Sequence, residues 1–329
     1  MYPTVKHEDR EERKDAIMSI FNSLVPSNIT SFPTTVGSLQ GPIKLSEDIK
    51  NEVEIDLADY MKNLPEKSPF SIQEDIDPKW TLFEQITKCP PDTWQPIMKL
   101  VESNIQTISY AIDAIGAPRY LPNTSDVFNA FRLTALNNLK VIIVGMDPYH
   151  QMTYGRPDAC GLSFSYRRDF PVPARSSLKN IYKEIKTNNY SDFIVPIHGD
   201  LTSWAHQGVL LLNSALTVLA NSPGSHVDRW RGFTSIILSK IVELIPGVII
   251  MCWGNDAKKA IKEISTKCVN WDTENATAIK SVKNKPILLE TSHPSGYSFT
   301  RGFFGSQHFL KVNTILQLQE KEQINWNLY

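Results

Sequence analysis

Cysteine is scarce in this chain of 329 residues: Cys89, Cys160, Cys252 and Cys268 are the whole complement. They are scattered, with no CxxC pair and no spacing suited to zinc. They read as reduced thiols packed as small apolar groups. The seven histidines show no HExxH arrangement. Neither a GxxxxGK[ST] loop nor a GxGxxG turn is present to cradle a phosphate, so no cofactor and no metal are expected. A GxSxG nucleophile elbow is also missing, which argues against an α/β hydrolase. No apolar run approaches the ~18 residues that suggest a membrane helix. The first residues, "MYPTVKHEDREERKD", are charged where a secretory leader is apolar. The expectation is an intracellular protein, nuclear or cytoplasmic, without membrane association.

Charge is nearly balanced, at −1 overall, but unevenly placed. Residues 1–79 hold 9 Lys and Arg against 15 Asp and Glu, whereas residues 80–329 hold 25 against 20. A mildly basic body behind an acidic arm is compatible with a polyanionic partner and does not establish one. The arm includes "PSNITSFPTTVGSLQGP" (26–42), rich in the residues of loops and linkers. Residues 8–24 space Ile17, Ile20, Phe21 and Leu24 as one helical face. The sequence predicts a partly disordered N-terminal extension over 1–79 and one compact domain over 80–329.

Hydrophobic residues make up 41% of the chain, enough for a sizeable core. Beyond Trp80, strand-length apolar runs recur at 141–144, 209–212, 248–251 and 287–289. They are nearly continuous and do not alternate, as strands buried on both faces do. Between or beside them lie helical patterns. Leu178, Ile181, Tyr182 and Ile185 share one face, and Phe233, Ile236, Ile237, Ile241 and Leu244 share another. This alternation predicts a three-layer α/β/α domain around a central four-stranded, mainly parallel sheet.

The residues just after each run carry the chemistry. "VIIV" leads into "GMDPYH", "VLLL" into Asn213, "VIIM" into "CWGND" and "ILL" into "ETSHPSGYS". The C-terminal ends of parallel strands lie side by side, and ligands bind there. Asp147, Asn213 and His293 are therefore expected in one cleft. Each also has an ordinary reading, since Asp before Pro forms turns, Asn caps, and His sits in loops. Residue-level reasoning ends at a polar cleft with one carboxylate, one amide and one imidazole.

The motifs reach further. "SDVFNAFRLTALNNLKVIIVG" (125–145), "VIIVGMDPYH" (141–150), "GLSFS" (161–165), "SSLKNIYKEI" (176–185), "GDLTSWAHQGVLLLNSALTV" (199–218), "WGN" (253–255), "HPSGYS" (293–298) and "RGFFGSQHFLKVN" (301–313) occur in the order of the family 1 uracil-DNA glycosylases. The region 80–329 resembles that family; residues 1–79 lie outside the resemblance. The resemblance implies a monomeric DNA repair enzyme that flips uracil out of DNA and hydrolyses its N-glycosidic bond. It implies catalytic roles for Asp147 and His293, and uracil contacts by Met146, Tyr149, His150, Phe164 and Asn213. It further implies DNA contacts by Ser177, Asn255, Ser295, Tyr297 and Ser298, with Ser177 capping a helix.

Several positions depart from the family pattern. Met146 stands for Gln, Asn255 for Ser, Gly296 for Pro and Tyr297 for Leu. The loop 151–160 is longer than usual, and 266–285 reads as an insertion. The implied partner is uracil-containing DNA, single- or double-stranded, with a replication or repair protein as a candidate for the extension. The competing reading is a DNA-binding scaffold or replication-factor subunit on the same fold with weak catalysis. The complete set of Asp147, Asn213 and His293 favours the enzyme.

Overall fold

The apolar runs become the middle of a parallel sheet. The computed structural model describes residues 76–77, 79–113, 120–169, 176–272 and 283–328. In chain order the strands are β1 (Tyr120–Leu121), β2 (Val141–Gly145), β3 (Met152–Thr153), β4 (Arg156–Pro157), β5 (Val209–Asn213), β6 (Val218–Leu219), β7 (Ile249–Trp253), β8 (Val269–Asn270) and β9 (Ile287–Thr291). The central sheet runs β5-β2-β7-β9-β8, and every neighbouring pair in it is parallel. All residues of β2, β5 and β7 are buried. Successive side chains of a strand point to opposite faces, so both faces are covered.

The sheet has five strands where the sequence reading expected four. The extra one, β8, comes from the segment read as an insertion and pairs Val269 with Ile287 and Asn270 with Leu288. Two residues of an edge strand leave no apolar run to detect.

The helices are α1 (Leu82–Lys88), α2 (Gln95–Leu100), α3 (Glu102–Ile112), α4 (Asn129–Leu133), α5 (Ser176–Glu184), α6 (Thr202–His206), α7 (Val227–Leu244), α8 (Asn255–Ala260), α9 (Lys262–Ser265) and α10 (His308–Leu318). At the start of α1, Thr81 Oγ1 accepts from the Glu84 backbone N–H and Glu84 accepts from the Thr81 N–H. This capping box satisfies two donors that would otherwise be orphaned. The predicted face of α5 is buried at Leu178, Ile181 and Tyr182, and at Ile185 in the π-turn after it. Helix α7 begins at Val227, upstream of the expected window, and buries Phe233, Ile237 and Ile241. Ile236 and Leu244 are only partly buried.

The long loop 151–160 is a small hairpin, β3 against β4, turned by Tyr154 at φ 50° and Gly155 at φ 74°. Consecutive left-handed residues are what a tight two-residue hairpin needs. All four cysteines are free thiols. The expectation for residues 1–75 lies outside the described residues.

Candidate active site

Strands β2, β5, β7 and β9 end side by side, and their exits gather the polar residues the sequence singled out. Residue Gly145 closes β2 opposite Asn213, the last residue of β5. A Cβ on Gly145 would stand 2.1 Å from Asn213 Oδ1 and 2.9 Å from Ser163 Cβ. Only glycine leaves the Asn213 amide its place. That amide makes no hydrogen bond among the described residues, although Asn213 is 5% exposed. A nearly buried amide without protein partners is ready for a ligand with matching donors and acceptors.

Past Gly145, the Met146 carbonyl accepts from Ser214 Oγ at 2.6 Å and from Ala215 N at 2.9 Å. These bonds fix the backbone that presents Asp147. Its carboxylate accepts from the Gly224 N–H at 2.5 Å. Burial pushes the Asp147 pKa above the ordinary 3.8; the Gly224 bond and nearby His150 oppose the rise, and Asp256 adds to it. His150 pairs its Nε2 with Gln151 at 2.9 Å. Its Nδ1 is buried without a hydrogen-bond partner among the described residues.

Aromatic side chains line the other wall. Tyr149 donates from its hydroxyl to the Phe164 carbonyl at 3.2 Å and meets Tyr166 edge-on. Phe164 has φ 61°. A non-glycine residue in that region costs about 1–3 kcal/mol and often marks a functional site. Its ring lies 5.4 Å from Trp253 and 5.8 Å from His293, between centroids.

His293 comes after β9. Its Nδ1 accepts from the Ser295 N–H at 3.0 Å. Nitrogen Nδ1 is then unprotonated, and the proton of the neutral ring sits on Nε2. Burial holds the His293 pKa below the usual 6.5, against an opposing pull from Asp256. Gly254, at φ 86°, packs so closely that a Cβ there would lie 2.8 Å from His293 Cβ.

Strand pairing, hydrogen bonds and ring contacts bring Met146, Asp147, Tyr149, His150, Phe164, Asn213 and His293 to the same end of the sheet. The expected DNA-contacting residues take different positions. Asn255 is exposed at the start of α8. Ser295, Tyr297 and Ser298 sit in the tight turn after His293. Ser177 is not a cap: it is the second residue of α5, inside the first turn. Helix α5 reaches the turn through Asn180, whose amide donates to the Pro294 carbonyl at 2.7 Å. Gly296 lies outside the left-handed region and a Cβ there meets nothing within 4 Å, so the turn does not use glycine's freedom.

Sequence reasoning missed Gly145, Gly224, Gly254, Asn180 and Asp256. Gly145 and Gly254 carried a signal, since each comes after an apolar run at a strand end. The other three act through contacts distant in sequence.

A family model described as the Uracil DNA glycosylase superfamily matches residues 131–317. The chain belongs to the uracil-DNA glycosylase superfamily. A uracil-DNA glycosylase of Francisella philomiragia is 39% identical over 219 residues, covering 66% of this chain and 89% of that protein. One from Proteus mirabilis is 42% identical over 208 residues, covering 63% and 81%. The crystal structure of mimivirus uracil-DNA glycosylase superposes with a TM-score of 0.61 at 26% identity, covering 83% of this chain and 99% of that one. Within the superfamily match lie Met146, Asp147, Tyr149, His150, Phe164, Asn213 and His293, and also Ser177, Asn255, Ser295, Tyr297 and Ser298.

Proposed function

We propose that Asp147 and His293 carry the chemistry of uracil excision in this chain. The enzyme hydrolyses the N-glycosidic bond of deoxyuridine in DNA and leaves an abasic site, as its superfamily and relatives support. As the bond breaks, the sugar gains oxocarbenium character and the base gains negative charge. Ionised Asp147, beside His150, faces the sugar, steadies its positive charge and orients the water that attacks C1′. His150 is polar support beside that water. His293 donates from Nε2–H to uracil O2, where negative charge develops. A preorganised donor in a water-poor cleft stabilises such charge most.

Asn213 accepts from uracil N3–H and donates to O4. Cytosine reverses that pattern and would leave buried groups unpaired. Phe164 stacks on the base, and Tyr149 stands at C5, where thymine carries a methyl. To reach this pocket the nucleotide leaves the base stack. Tyr297 fills the vacated place, and Ser177, Asn255, Ser295 and Ser298 contact the backbone without reading sequence. The enzyme acts as a monomer, and the acidic extension is a docking segment for a repair or replication protein. No observation favours the scaffold reading.

The observation that carries the proposal is the bond from the Ser295 N–H to His293 Nδ1, which leaves Nε2 to carry the ring proton, at the same sheet end as the half-buried Asp147 carboxylate. The test is incubation with a uracil-containing oligonucleotide, then alkaline cleavage. Wild type should cut the strand at uracil. His293→Leu should lower the rate about 100- to 1,000-fold, as loss of an oxyanion donor does elsewhere. Near wild-type turnover by that variant would remove His293 from the chemistry.

A further inference from the structure

The turn that carries Tyr297 is pinned along its backbone. Ser298 N and Phe299 N both donate to the Ser295 carbonyl, at 3.0 and 2.8 Å. Ser292 Oγ donates to the Ser298 carbonyl at 2.8 Å and accepts from Phe303 N at 2.9 Å. Asn180 holds the Pro294 carbonyl. Beneath the turn Phe299 is buried, with the Lys183 ammonium 5.5 Å from its ring centroid. The freedom that remains belongs to the Tyr297 side chain, which is 77% exposed.

Arg301 takes up that freedom. Its guanidinium lies 4.0 Å from the centroid of the Tyr297 ring, and its Nη2 donates to the phenolic oxygen at 2.7 Å. Arg301 is exposed, and among the described residues its guanidinium meets the Tyr297 ring and hydroxyl and no carboxylate. Its partner is the ring itself, held by face and by hydroxyl together. Only a planar guanidinium can stack and donate in this way; an ammonium is a point charge.

We propose that Arg301 is the positioning residue for Tyr297, ordering an aromatic wedge before duplex DNA arrives. The proposal rests on the reading of Tyr297 as the side chain that enters the duplex. A long or aromatic surface side chain loses rotamer freedom when it inserts between bases. Arg301 removes part of that loss in advance, on a turn whose backbone is already fixed. Single-stranded DNA has no stack to be held open, so the benefit belongs to duplex substrate. A leucine in this place offers no face to a guanidinium; the tyrosine and Arg301 therefore form one device.

The experiment compares kcat/KM on duplex and single-stranded uracil DNA of one sequence. Arg301→Gln should lower the duplex-to-single-strand ratio by about 2- to 30-fold, the span of cation–π contacts from exposed to desolvated sites. Arg301→Lys should fail to restore it, and Tyr297→Phe, which keeps the ring and loses the phenol, should show a smaller loss. In a Tyr297→Ala background, Arg301→Gln should lower the ratio no further. Full rescue by Arg301→Lys would reduce the role to bulk charge and overturn the proposal. So would an undiminished Arg301→Gln effect in the Tyr297→Ala background. If Tyr297→Ala by itself leaves the ratio unchanged, the wedge reading falls, which is a separate result from additivity of the two variants.

Discussion

The task proposed for Asp147 runs against its surroundings. Burial, with help from Asp256, raises its pKa above the ordinary 3.8. The folded state therefore favours the protonated acid. Its contribution to stability is present at low pH and is lost as the pH rises through the folded pKa. At neutral pH the ionised carboxylate costs stability, and Asp147→Asn removes that cost. The variant should keep or raise Tm while losing most activity; a large drop in Tm together with activity would show a structural role instead. The same groups set the pH profile. The acid limb of kcat/KM should lie above the ordinary aspartate range. Asp256→Asn should move it to lower pH, because the Asp256 charge raises both Asp147 and His293. A limb that stays in place would assign the titration to another group. The proposed pocket selectivity is tested at single residues. Asn213→Asp should admit cytosine, and Tyr149→Ala should admit thymine, scored on matched oligonucleotides. Rejection of both bases by folded variants still active on uracil would sink the pocket assignment.

Elements bring these residues together through close backbone approach. The pairing of β2 with β5 sets Gly145 opposite Asn213 and leaves no room for a methyl group between them. Gly145→Ala should displace the amide and cost on the order of 100-fold in kcat/KM, as small misplacements in active sites do. Thermal denaturation should separate this effect from unfolding, and wild-type kinetics in the variant would place uracil recognition elsewhere. Helix α5 and the chain before α10 are joined by a second device. Glu184, fully buried, accepts from the backbone N–H groups of Gly305 and Gln307 at 2.7 and 2.9 Å. That carboxylate fixes the far end of the segment that begins with His293. The hairpin of β3 and β4 extends the chain after His150 and shows Tyr154 to solvent.

On the scale of the whole molecule, every residue of the proposed site and its DNA-contacting surroundings lies between Gly145 and Ser298. The superfamily match spans 131–317. Removal of residues 1–75 should therefore leave a folded enzyme active on uracil DNA. Circular dichroism and the alkaline-cleavage assay check it together. A soluble, folded and inactive truncation would make the arm part of the site. The wedge proposal belongs to this scale as well, since the duplex must meet the cleft and the Tyr297 turn at once.

The sequence by itself determined the sheet core, because strands buried on both faces leave unbroken apolar runs, as in β2, β5, β7 and β9. It also placed Asp147, Asn213 and His293 at strand ends, since chemistry at parallel strands collects where the apolar run stops. Strand β8 was illegible for the opposite reason: Val269 and Asn270 form no run. Ser177 looked like a cap because its neighbours are turn formers, yet the helix already includes it. Only the tertiary structure decided the His293 tautomer, the Gly224 bond to Asp147 and the Tyr297–Arg301 stack. The Ser295 bond and the stack join residues close in sequence, but they depend on the path of a turn that composition does not encode. The Gly224 bond joins segments far apart in the chain. Hydrophobic periodicity reports burial, whereas hydrogen-bond partners are set by where the folded backbone brings two groups within about 3 Å.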